Sequence, residues 1–137
     1  MPQENYTDKV SVNINTGTLS QIDLLVDNGY YSNRSDFINQ AIRDALQQQR
    51  GTIEGIIRRQ EGRARSVHGW FIGVSGFTAS EIDHMHEEGE RTSVNGYGVL
   101  HIDSGCDREK LYTVVESISV RGKVIAPADV KAHYGLK

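Results

Sequence analysis

This chain of 137 residues has one cysteine, no surplus of positive charge and no long apolar run. Each lack excludes something. The single thiol, Cys106, cannot close an internal disulfide and suits a reducing cytoplasm. No stretch comes near the roughly 20 apolar residues that a membrane helix needs, so no membrane partner is expected. The N-terminus, MPQENYTDK, has no positive start and no apolar core, and does not read as a secretory signal. No internal repeat is visible. The net charge is −3, so the basic surplus common in nucleic-acid binders is missing. Any such role must rest on local placement of charge. What is present fits a soluble folded protein of one domain or two small ones, at 37% hydrophobic and 24% charged.

The charge is unevenly spread. Residues 1–50 hold four Lys/Arg against six Asp/Glu, residues 51–66 four against two, and residues 67–137 seven against ten. The middle stretch, GTIEGIIRRQEGRARS, is glycine-punctuated and arginine-rich, with a short apolar period at Ile53, Ile56 and Ile57. It reads as a linker containing one short helix. Residues 1–50 and 67–137 are the two expected domains.

Near the start, KVSVNIN alternates two chemistries. Val10, Val12 and Ile14 are β-branched and apolar, whereas Lys9, Ser11 and Asn13 can all donate hydrogen bonds. A strand sends successive side chains to opposite faces, so one face would be apolar and the other equipped for hydrogen bonding. A strand alone could simply show that polar face to water. NTGTLSQIDLLVDNG follows, with Thr16 as the expected N-cap and Leu19, Ile22, Leu25 and Val26 on one helical face. Asn28-Gly29 stops that helix. A second helix starts in YYSNRSDFINQAIRDALQQQ, with Ser32 as the expected cap. Its apolar stripe, Phe37, Ile38, Ala41, Ile42, Ala45 and Leu46, is wide for its length.

These pieces do not close on themselves. One short strand and two helices cannot bury enough surface to stand alone. The strand has no partner nearby in sequence, and an unpaired strand invites its twin from a second chain. Two copies paired antiparallel would put their apolar faces on four helices and leave a two-stranded polar ribbon. A DNA major groove admits such a ribbon.

KVSVNIN followed by TLSQIDLLVDNGYYSNRSDFINQAIRDAL resembles the ribbon-helix-helix DNA-binding domain of the Arc/MetJ/CopG repressors, over roughly residues 8–48. The resemblance implies that Lys9, Ser11 and Asn13 read base edges, and that Ser32, Asn33, Arg34 and Ser35 grip phosphate. It implies a double-stranded DNA operator as partner and a homodimer as the working form. The chemistry agrees. Lys9 can donate to guanine, Asn13 can pair with adenine, and Ser11 can serve either base. A helix N-terminus offers free amides to an anion, and Arg34 in that turn would add a full charge.

In the second half, HGWFIGVSG, GYGVLHIDSG and SVRGKVIAP read as strands. TASEIDHMHEEGE reads as a helix capped by Thr78 or Ser80. CDREKLYTVVESI reads as a helix with Leu111, Val114, Val115 and Ile118 inward, and PADVKAHYG as a closing helix begun by Pro127. This order gives a small α/β sandwich, with helices on one face of a sheet. The fold class is therefore α+β: an N-terminal ribbon-helix-helix, as a swapped-strand dimer, plus a C-terminal α/β sandwich. The second half resembles, in architecture only, the sensing domain of the nickel-responsive repressor.

Metal ligation is not expected. His84 and His86 are two apart on a helix, so they point about 200° away from each other. His101 lies on a strand, with Cys106 past the next turn. No cofactor is assigned, and a metal or small-molecule effector stays unidentified. Catalysis finds no footing either. Ser75-Gly76 lacks the final glycine of a nucleophile elbow, because Phe77 stands there. Glu81, Asp83, Glu87, Glu88 and Glu90 read as a solvated helix face. The expected protein is a cytoplasmic, non-enzymatic DNA-binding regulator, most simply a repressor. Its second half would oligomerise it, most simply to a tetramer with Trp70-Phe71 supplying apolar area, or would sense a ligand. The alternative is an antitoxin that autoregulates its operon, but such tails are often disordered, whereas this one has caps and strand alternation.

Overall fold

The computed structural model describes residues 7–63 and 69–137. The chain divides into two compact units, Met1–Gly51 and Thr52–Lys137. The end of the expected linker and His68 of the first expected strand lie outside the described residues.

Two helices make up most of the first unit. α1 spans Thr16–Asp27 and α2 spans Arg34–Gln48. Each cap falls one residue from its expected place. Asn15, not Thr16, caps α1, its side chain accepting from the Gly17 amide at 2.8 Å. Asn33, not Ser32, caps α2, accepting from the Asp36 amide at 2.8 Å, while Asp36 accepts from the Ser32 amide at 2.9 Å. Both residues of each pair carry a capping oxygen, and asparagine serves at least as well as serine or threonine. The Asp36 bond closes a reciprocal arrangement like a capping box. Gly29 ends α1 at φ +82°, and the Tyr30 amide reaches back to the Leu25 carbonyl at 3.0 Å. This is a Schellman turn, which needs a left-handed residue at that position.

The first unit has almost no interior. Ile22 is its one buried side chain among the described residues. Val10 is 79% exposed, Ile42 51% and Leu46 55%. Residues 7–15, where a strand was expected, form neither strand nor helix. The reason is physical: a strand exists only through hydrogen bonds to a neighbour, and the described residues supply none.

The segment expected to hold one short helix is helical throughout Arg50–Arg63 (α3), with no buried residue. In the second unit β1 (Trp70–Phe77), α4 (Ala79–Glu87), β2 (Thr92–Ile102), α5 (Arg108–Val114), β3 (Val115–Ile125) and α6 (Ala128–His133) follow in turn. The strands form a parallel sheet in the order β1-β2-β3. Parallel neighbours need crossovers, and α4 and α5 provide them. Phe71, Phe77, Val94, Leu100, Ile102 and Ile118 from the strands pack with Ile82 and Met85 of α4, Leu111 and Val114 of α5, and Val130 of α6. Tyr134 fastens the end of the chain, its hydroxyl donating to the Val115 carbonyl at 2.7 Å.

Two boundaries differ from expectation. α5 stops at Val114 instead of running to Ile118, and β3 begins at once. Val115 pairs with Thr92 and Ser117 with Ser93, so a register shift at Thr92/Ser93 leaves Glu116 as an extra residue. The β-branched residues here suit a strand as well as a helix face, and pairing with β2 decides the matter. β2 also starts at Thr92, earlier than expected, because Val94 and Gly96 are buried parts of the same strand.

Gly73, Gly98 and Gly122 stand side by side across all three strands. Their φ angles are +105°, +127° and +143°. A Cβ on Gly98 would lie 1.9 Å from the Gly73 carbonyl oxygen, and one on Gly122 2.0 Å from that of Gly98. Only glycine fits this row.

Candidate nucleic-acid interface

Lys9, Ser11 and Asn13 are all exposed, but so are the apolar residues alternating with them, Val12 at 73% and Ile14 at 39%. The arm thus offers both of its chemistries to solvent. Ser32, Asn33, Arg34 and Ser35 are likewise exposed. Among the described residues, no hydrogen bond or ion pair joins these two groups.

The α2 end is partly committed to its own structure. Asn33 holds the Asp36 amide, and the Ser32 amide is held by Asp36. Arg34 is engaged too. Its Nε and Nη2 donate to Oδ1 and Oδ2 of Asp23, both at 2.8 Å. That paired hydrogen bond pushes the Asp23 carboxyl below its usual range and the guanidinium above its own. Sequence reasoning missed Asp23, because only the fold of α2 against α1 brings the two together. The Arg34 and Ser35 amides open the helix and have no carbonyl one turn earlier to bond within it. Those amides, the Ser32 and Ser35 hydroxyls, and the Arg34 guanidinium if it leaves Asp23 are the groups that can meet an anion.

The second unit gathers no metal centre among its described residues. His84, His86 and His101 are exposed, whereas Cys106 is buried in the core. Burial, with the Asp103 carboxylate nearby, pushes the Cys106 thiol up, which makes a thiolate ligand less accessible.

An arm of alternating side chains, two helices joined at Gly29, and free amides at the start of the second helix define a DNA-binding module of the ribbon-helix-helix class. The chain belongs to the Ribbon-Helix-Helix transcriptional regulator family, whose model matches residues 5–131. No curated protein and no solved structure gives a significant match. Membership implies DNA-binding transcriptional regulation, and regulators of this family typically dimerise and are generally not enzymes. The match runs through the sheet of the second unit as well as through the helices. No helix among the described residues is long and apolar enough to cross a membrane.

Proposed function

We propose that the protein is a cytoplasmic, non-enzymatic repressor that reads its operator with a two-stranded ribbon shared between two chains. The observation that carries this reading is the nearly absent interior of the first unit. With Ile22 alone buried among the described residues, the apolar arm and the stripe of α2 lack a partner surface, and a second copy supplies one. Pairing the arms as a swapped strand covers Val10, Val12 and Ile14. It leaves Lys9, Ser11 and Asn13 on the outer face, toward base edges. Ser32, Asn33, Arg34 and Ser35 then hold the flanking phosphates. Residues 1–50 bind DNA, residues 51–66 link, and residues 67–137 assemble dimers or sense a ligand.

Assembly runs through the edge of the second sheet. Phe71 lies in the core and supplies no docking surface, unlike the expectation for Trp70-Phe71. β1 is an edge strand, and WFIGVSGF contains no charged residue to discourage pairing. Two β1 edges pairing antiparallel would join two DNA-binding dimers into a tetramer, making the second operator contact effectively intramolecular. A second unit with its own core favours the regulator over the antitoxin reading.

Footprinting of the full-length protein on genomic fragments locates the operator, and Asn13→Ala then tests the assignment. Each base contact is typically worth about 1–3 kcal/mol of discrimination, and a dimer loses two. A folded Asn13→Ala protein that binds its operator normally would mean the ribbon does not read DNA. Deleting residues 67–137 should halve the assembly and weaken operator binding. Unchanged affinity and an unchanged number of chains per assembly would remove the tether.

A further inference from the structure

One face of the second sheet carries a row of residues that neither the core nor the DNA interface uses. Trp70, Asn95 and Ser119 are register partners across β1, β2 and β3, and Ile72, Tyr97 and Arg121 form the next row. Register partners of a parallel sheet share a face. Here the face opposite Phe71, Val94 and Ile118 holds a depression of about 430 Å³, lined by Gln60, Trp70, Asn95, Tyr97, Ser119 and Arg121. That volume lies within the range of small-molecule sites.

The lining has a definite chemistry. Trp70 and Tyr97 supply aromatic surface on neighbouring strands. Asn95 and Ser119 supply an amide and a hydroxyl. Arg121 supplies a guanidinium, and among the described residues no Asp or Glu lines the depression. Among the described residues Arg121 has no ion pair, so its guanidinium is open to a ligand. The depression thus joins a cation that has no carboxylate in the same lining to two aromatic side chains on the other strands. Trp70 and Arg121 lie two strands apart, on the order of 10 Å. A planar ring resting on the aromatic side chains could thus present an anionic group to the planar donor fork of arginine.

We propose that this face binds a small planar aromatic anion, either a mononucleotide or an aromatic carboxylate. The proposal rests on the second unit alone and stands apart from the DNA reading.

The test uses the full-length protein. Trp70 is the sole tryptophan, so intrinsic fluorescence reports from inside the depression. AMP and benzoate are the probes, with adenosine as a ring without the anion and inorganic phosphate as an anion without the ring. Saturable binding of AMP or benzoate is expected, seen by fluorescence and by calorimetry. Adenosine and phosphate should each bind at least about tenfold more weakly, the loss expected when a hydrogen bond to a charged group or its ring partner goes. Binding of AMP alone assigns a nucleotide, and binding of both probes assigns the wider class of aromatic acids. Arg121→Ala and Tyr97→Ala, both at exposed positions, should keep the far-ultraviolet dichroism and lose binding by a similar factor. Three results overturn the proposal: neither probe binds, phosphate binds as tightly as AMP, or both folded variants bind like the wild type. If no probe binds and the variants instead lower the oligomeric state, the face is a contact between copies.

Discussion

Val12→Asp distinguishes a lone chain from a paired one. In the single chain Val12 is 73% exposed. A surface substitution at such a position changes stability by no more than about 0.5 kcal/mol. In a shared ribbon the same side chain moves into the interior between two sets of helices. Full burial of a valine contributes about 1.5–3 kcal/mol, which aspartate forfeits. An unpaired carboxylate in that interior costs several kcal/mol more. Each dimer carries the change twice, so the loss is on the order of 10 kcal/mol, comparable to the whole stability of a typical domain. The assay is sedimentation velocity of the full-length protein, with far-ultraviolet dichroism and an operator gel shift on the same samples. The variant should lose one two-fold step of assembly, much of the α1 and α2 helicity, and all specific binding, while Val12→Ile keeps them. A variant with wild-type mass and helicity would show that the arms do not share a core.

Three further outcomes follow from other parts of the chain. Gly98→Ala should cost at least about 3 kcal/mol and unfold the sheet, since its Cβ would meet the Gly73 carbonyl at 1.9 Å in a left-handed backbone; urea melts should show no comparable loss for Gly105→Ala, whose nearest neighbours lie at 3.8 Å. Asp23→Asn should release Arg34, tighten DNA binding and steepen its salt dependence by about one ion per chain, and an unchanged slope would mean Arg34 does not meet phosphate. Burial pushes the Tyr134 phenol up to about 12 from its ordinary 10.0, so the folded state holds that proton more tightly than the unfolded state. Its contribution is therefore complete below about pH 10 and fades toward about pH 12, a loss on the order of 1 kcal/mol after solvent screening; Tyr134→Phe should flatten that part of a stability–pH curve.

What was legible in the sequence follows the range of the forces involved. α1 and α2 answer to local signals: apolar period, a glycine stop, and a capping side chain. Their starts missed by one residue because Asn15-Thr16 and Ser32-Asn33 each place two competent caps in a row. Longer-range features were hidden. The end of α5 depended on pairing between Val115 and Thr92. The glycine row depended on a register that no single strand displays. Asp23 carries no local signal, and only the fold of α2 against α1 brings it to Arg34. The aromatic depression joins residues from three strands and α3, so Trp70 read only as apolar area for assembly and Arg121 did not stand out. The alternation of the arm was plain from the start, yet residues 7–15 form no strand, because a strand needs a neighbour to bond.

The bare first unit also bears on how much of the regulator a cell can keep. A newly made copy shows Val10, Val12, Ile42 and Leu46 to its surroundings. Exposed apolar chain of this kind is continuously triaged by chaperones and proteases. Clearance of single copies rises in proportion to their number, while encounters between copies rise with its square. With the dimer proposed above as the binding form, its supply responds more steeply than gene dosage. On that proposal a modest fall in synthesis empties the operator disproportionately, with no separate device to sharpen the response.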